Sequence, residues 1–99
     1  MYKNLKEVTA MADELNMTIG AFNTHNLEML PEMIRAAKEM GSPIIIQTSI
    51  DTAKYIGYKL IVAVVKEIAE DEMVDVALHL DHARDFNEIK AAIDAGFSS

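Results

Sequence analysis

Three groups able to ionise or bind a metal close the run VDVALHLDH at residues 74–82: His79, Asp81 and His82. An imidazole such as His82 can ligate a divalent cation through one neutral nitrogen while the other donates to a neighbouring acceptor. A carboxylate beside it, Asp81, can work as acid or base, its affinity for a proton set by burial and nearby charge. Two further polar groups follow apolar runs in the same manner: Asn23 with His25 after TIGAFN, and Ser49 after PIIIQTS. Ser49 and Asn23 can hydrogen-bond phosphate or carbonyl oxygens. Three of these residues also have a plainer reading. A strand-end Asp serves equally to cap the following helix, and His79 reads as a strand histidine satisfied by a neighbour. His25 is open between a turn role and the site. One histidine is not a zinc site, because catalytic zinc normally takes three protein ligands.

The elements that must position these groups are legible from periodicity. Asn4 followed by Glu7 has the spacing of a capping box. Leu5, Val8, Ala12 and Leu15 then keep helical spacing, which predicts a helix over residues 5–16. Residues 18–23 form a first expected strand. Asn26 is a candidate cap for a helix through Leu27, Leu30, Ile34 and Ala37, although Pro31 falls early in it. That helix therefore starts later than Asn26 or opens irregularly. Gly41-Ser42-Pro43 stops it, and residues 43–49 read as a continuous apolar strand of the buried parallel kind. Residues 53–57 make a short connection, and residues 60–70 a helix buried through Leu60, Ile61, Val64, Val65 and Ile68. Residues 74–80 are the third strand. Residues 86–95 form a helix with Phe86, Ile89, Ala92 and Ile93 inward and Gly96 as C-cap. Phe97-Ser98-Ser99 reads as the start of a fourth strand.

The pattern is one helix followed by three βα units, the repeat of parallel α/β proteins, and both a doubly wound sheet and a β/α barrel fit it. In either, ligands bind beyond the carboxyl ends of the strands. Asn23, Ser49, Asp81 and His82 therefore share one rim, and this convergence is more specific than any one of them. The chain lacks G-x-G-x-x-G and G-x-x-x-x-G-K-[ST], so nucleotide binding of those kinds has no support.

Composition narrows the partners. A formal charge of −7 argues against nucleic acid or an anionic membrane surface. The absence of cysteine leaves only imidazole, carboxylate and water for a metal. The start, MYKNLKEV, lacks the apolar core of a signal peptide and no apolar run spans a bilayer, so cytoplasm is the expected compartment.

The segments GAFNTHNLEML, SPIIIQTS, AKYIG, VALHLDH and AAIDAGFSS resemble, in order and spacing, the N-terminal part of class II (zinc-dependent) fructose-bisphosphate and tagatose-bisphosphate aldolases. The likeness runs through essentially all 99 residues. It implies an α/β fold, the N-terminal portion of a (β/α)8 barrel, with residues 1–99 an incomplete barrel domain ending at strand four. It also implies reversible cleavage of a ketose 1,6-bisphosphate to dihydroxyacetone phosphate and glyceraldehyde 3-phosphate, a reaction of glycolysis and related carbohydrate metabolism. Within it, Asp81 matches the proton donor and His82 the first Zn2+ ligand. Ser49 matches the residue that binds glyceraldehyde 3-phosphate, and Asn23 one lining the substrate carbonyl. His25-Asn26 looks like the tagatose branch and AKYIG like fructose members, so the epimer stays open. The family's remaining zinc histidines have no counterpart here. Strand three is expected to expose an unpaired flank, which favours a homo-oligomer. The competing reading is a catalytically silent fragment that persists as an oligomer or bound to a complementary half-barrel.

Overall fold

A computed structural model describes every residue from Met1 to Ser99. The first helix, α1 (Leu5–Leu15), opens on the expected capping box: Asn4 Oδ1 accepts from the Glu7 N–H at 2.9 Å and Glu7 Oε2 from the Asn4 N–H at 2.8 Å. It ends where Asn16 turns left-handed at φ 52°. Three βα units follow: β1 (Ala21–Asn23) with α2 (Met29–Glu39), β2 (Ile44–Ser49) with α3 (Ile50–Ile56) and α4 (Tyr58–Glu72), and β3 (Val76–Asp81) with α5 (Phe86–Ala95). The strands make one parallel sheet in the order β1-β2-β3.

Alternation along the strands separates the core from the chemistry, since successive side chains point to opposite faces. On one face Ile44, Ile46, Val76, Leu78 and Leu80 join Leu30, Ile34, Ile61 and Val65 in the buried core. The other face carries Gln47, Ser49, His79 and Asp81, all half-buried. Ile46 sits fully buried on the central strand. Ile46→Ala is therefore expected to cost about 2–5 kcal/mol through lost transfer energy and a residual cavity, read as a lower urea midpoint.

Several boundaries differ from the sequence expectation, each for a local reason. β1 is shorter than residues 18–23, because it is an edge strand whose pairing starts with the Gly20 carbonyl accepting from Ile45 N–H. β2 starts at Ile44 rather than at Pro43, whose ring nitrogen has no hydrogen to donate. β3 begins two residues later than expected and takes in Asp81. The connection after β2 is a full helix, with Ser49 as its N-cap, and Gly57 at φ 104° breaks it from α4. Asn26 Oδ1 accepts from the Met29 N–H at 3.0 Å just ahead of α2, whose N-cap residue is Glu28. Pro31 is tolerated because it lies in the first turn, where its missing N–H would have no helical partner.

Two expectations are overturned. Phe86, Ile89 and Ile93 of α5 are 74%, 42% and 64% exposed, and among the four residues expected to face inward only Ala92 is buried, because α4 covers one side of α5 alone. Leu15 and Leu60 are exposed too. The flank of β3 is not bare, either. Val76 N–H donates to the Met1 carbonyl at 2.9 Å, and Lys3 N–H to the Val76 carbonyl at 2.8 Å. Farther along, Ser98 N–H donates to the Leu78 carbonyl at 3.1 Å and Leu80 N–H to the Ser99 carbonyl at 3.0 Å. The residues expected to begin strand four thus bond along β3 without forming a strand of their own, and the open sheet edge is β1.

Glu72 of α4 clasps α2, accepting from Lys38 Nζ at 3.1 Å and Arg35 Nε at 3.2 Å. Hydrogen bonds from Lys38 and then Arg35 hold its carboxyl below the ordinary glutamate value. A depressed folded value means the stabilisation is present above the unfolded pKa and disappears as pH falls through the folded one. Glu72→Gln should therefore lower the melting temperature slightly at neutral pH and low salt. The difference should shrink as pH falls below the ordinary glutamate range and close once pH lies below the depressed folded value. A gap that persisted unchanged into stronger acid would show that the clasp is not ionic.

Candidate functional site

Register assembles the polar rim. Asn23 pairs with Gln47 and Gln47 with His79, making one row across the sheet, and two residues further along the same face Ser49 pairs with Asp81. Asp81 is therefore a direct cross-strand neighbour of Ser49, and both stand at the carboxyl ends of their strands.

His82 follows in the left-handed region, φ 60°, a conformation in which His is enriched among non-glycine residues. The turn brings the ring back over the preceding residue. His82 Nε2 lies 3.4 Å from Asp81 Oδ2, and the His82 backbone N–H donates to Asp81 Oδ1 at 3.0 Å. His79 Nε2 is 3.8 Å from Asp81 Oδ1, and its Nδ1 lies 2.9 Å from Ser99 Oγ. That serine is the neighbour a strand histidine needs. The Asp81 carboxylate thus stands between two imidazoles. His25 is exposed in the turn between β1 and α2.

Gln47 ties the row together. Its Nε2 donates to Asn23 Oδ1 at 2.9 Å and lies 3.4 Å from Asp81 Oδ2. Motif reading passes over this residue, although one signal was available: Gln47 is the polar interruption of an apolar run, two residues before Ser49 and so on the same strand face.

Ser49 has a structural duty as well, its Oγ accepting from the Thr52 N–H at 3.4 Å to cap α3. Ser49 and His82 border a polar cleft of about 490 Å³ shared with Asp51, Lys54, Arg84 and Glu88. Glu88 braces its wall, 3.6 Å from Lys54 Nζ and accepting from the Arg84 N–H at 3.3 Å. Asn23 lies outside this cleft, linked to it through Gln47 and Asp81. The rim therefore offers an exposed imidazole, a half-buried carboxylate, a hydroxyl and an amide within a single sheet edge. That is a set able to move a proton and to hold an oxyanion. No three histidine, aspartate or glutamate side chains are arranged to hold a metal ion. His82 can furnish one ligand, so these residues do not close a zinc site by themselves.

The family model for class-II fructose-bisphosphate aldolase matches residues 3–99. Fructose-bisphosphate aldolase of Geobacillus stearothermophilus is 42% identical over 99 residues, covering 97% of this chain and 34% of the relative. The Helicobacter pylori fructose-bisphosphate aldolase is 40% identical over 94 residues, 94% of this chain and 31% of its own. The crystal structure of the YdjI aldolase from Escherichia coli K12 superposes with a TM-score of 0.82 at 28% identity, over 98% of this chain and 38% of that one. The chain spans about a third of the length of the curated relatives it matches. The helix and the three βα units are the N-terminal part of the barrel that these proteins share.

Proposed function

The chain belongs to the class II fructose-bisphosphate aldolase family, and from that premise we propose that residues 1–99 form one part of a barrel domain whose rim reversibly cleaves a ketose 1,6-bisphosphate to dihydroxyacetone phosphate and glyceraldehyde 3-phosphate. The observation that carries the proposal is the register pairing of Ser49 with Asp81, with His82 folded back onto the carboxylate. In cleavage Asp81 accepts the proton of the C4 hydroxyl, and in condensation it returns that proton. Ser49 donates to the phosphate of the glyceraldehyde 3-phosphate half. Asn23 donates its amide to the carbonyl region of the substrate. His82 would hold a zinc ion with ligands from beyond these residues; such an ion, when bound, polarises the ketone oxygen as a Lewis acid. Fructose is favoured over tagatose, because the curated relatives are named fructose-bisphosphate aldolases. Cytoplasm remains the proposed compartment; no helix is long and apolar enough to cross a membrane.

The test is a hybrid enzyme in which residues 3–99 replace the matching third of the Geobacillus stearothermophilus aldolase. Fructose and tagatose 1,6-bisphosphate are assayed side by side with a coupled readout. Cleavage of fructose 1,6-bisphosphate in preference to tagatose supports the reading. A folded hybrid that cleaves neither sinks it.

A second reading concerns the 99-residue chain alone, and the exposed Phe86, Ile89 and Ile93 on α5 together with the open β1 edge favour it. Such surfaces promote association. By itself the chain is then a silent homo-oligomer, or a partner for a complementary half-barrel, binding zinc weakly and showing no cleavage above background. Light scattering after size exclusion, metal analysis after dialysis and the same assay examine this together. A monomer with one tightly held zinc and measurable cleavage would overturn it.

A further inference from the structure

We propose that Gln47 is a positioning residue that fixes both the orientation of the Asn23 amide and the placement of one Asp81 carboxylate oxygen. The inference rests on the aldolase reading of Asp81 and Asn23 and extends it to a residue with no role there. Gln47 occupies the central strand between the other two, in register with Asn23. Its Nε2 carries two hydrogens, and two acceptors lie around it: Asn23 Oδ1 at 2.9 Å and Asp81 Oδ2 at 3.4 Å.

The chemistry of the acceptors decides which way both amides face. The Asp81 oxygen nearest Gln47 offers lone pairs, and the Gln47 nitrogen, 3.4 Å from it, is the end that turns toward Asp81. That nitrogen then meets Asn23, whose oxygen must face it in turn. The Asn23 NH2 is left pointing away from Gln47, free to donate to a substrate oxygen. A single central amide thus sets a donor at one strand end and steadies the base at another. The His82 backbone N–H holds the second Asp81 oxygen at 3.0 Å, so the carboxylate is restrained at both oxygens. Without Gln47 the Asn23 amide has no partner selecting its orientation, and Asp81 Oδ2 keeps only the His82 ring nitrogen, 3.4 Å away. Misplacement of a reacting group by about 1 Å can cost on the order of 10²-fold in rate.

Two measurements test this, one independent of turnover. In the 99-residue chain, side-chain 15N relaxation should find the Asn23 amide ordered in the wild type. In Gln47→Met, which keeps the side chain's length but not its hydrogen bonds, the order parameter should drop below about 0.6. An unchanged Asn23 amide would overturn the proposal. In the hybrid enzyme, Gln47→Met and Gln47→Glu should both lower kcat by roughly 10²-fold, with KM moving far less and zinc content and urea midpoint unchanged. Glutamate keeps the size but offers no donor, so it should not rescue. The Gln47→Met, Asn23→Ala double variant should lose less than the product of the two single losses, since the part of the Gln47 effect that runs through Asn23 is already gone while the part that runs through Asp81 remains. Multiplying losses, or full activity in Gln47→Met, would contradict the assignment. A folded hybrid inactive with Gln47 in place instead defeats the aldolase reading, and the relaxation measurement then decides Gln47 on its own.

Discussion

Asp81→Ala in the hybrid enzyme is expected to lower turnover by about 10²–10⁴-fold, the usual range for removal of a positioned acid or base, while zinc content stays near that of the wild type. The size of the effect follows from the placement of Asp81. Its carboxylate is half-buried at a strand end, next to two imidazoles, with the His82 N–H on one oxygen. No other carboxylate stands on that row of the sheet: the register partner is Ser49, and the row before it holds Asn23, Gln47 and His79. Asp51 and Glu88 line the neighbouring cleft, but Glu88 is engaged with Lys54 and Arg84. A substitute base would therefore have to come from a different element. Asp81→Asn should be nearly as slow, because an amide keeps the shape without taking the proton. Near-wild-type cleavage by either variant would mean that the proton goes elsewhere.

His82→Ala should do more than Asp81→Ala. It removes the imidazole that we assign to zinc, so metal content and activity should fall together, and added zinc should restore activity only in part. An outer contact goes as well, since the ring lies 3.4 Å from Asp81 Oδ2. Partners outside the ligand shell commonly contribute 10–100-fold to metal affinity or activity, so losing a ligand should exceed that range. The backbone is the second consideration. At φ 60° a non-glycine residue is strained, and alanine lacks the polar side chain that eases this conformation in His, Asn or Asp. His82→Asn is therefore the companion variant, which keeps the turn and removes the imidazole. If His82→Asn kept its zinc, His82 would not be a ligand.

The sequence is most transparent where local chemistry and tertiary demand agree. The Asn4–Glu7 box, Gly96 as the left-handed end of α5 and the apolar run of β2 all sit where periodicity puts them. Strand-end logic also puts Ser49 and Asp81 on one rim, because parallel strands must bring their carboxyl ends to the same side, but the register that pairs them is set by the packed sheet. What it misses depends on neighbours. The apolar stripe of α5 is written in the sequence as a buried face, yet Phe86, Ile89 and Ile93 face solvent, since burial belongs to what packs against a helix and not to its periodicity. The flank of β3 is covered by Met1, Lys3, Ser98 and Ser99, residues near the two chain ends whose pairing leaves no local pattern. Gln47 is hidden for a related reason. Its meaning lies in two cross-strand partners, 24 and 34 positions away, and not in the residues beside it.

The most direct test of the rim as the catalytic edge is a crystal structure of the hybrid enzyme, made with Asp81→Asn to slow turnover and soaked with fructose 1,6-bisphosphate. The carboxamide that replaces the Asp81 carboxylate should lie within hydrogen-bond reach of the C4 hydroxyl, about 2.6–3.2 Å. Ser49 Oγ should contact the phosphate of the half that becomes glyceraldehyde 3-phosphate. A substrate whose C4 hydroxyl met a different side chain, with position 81 turned away, would contradict the assignment.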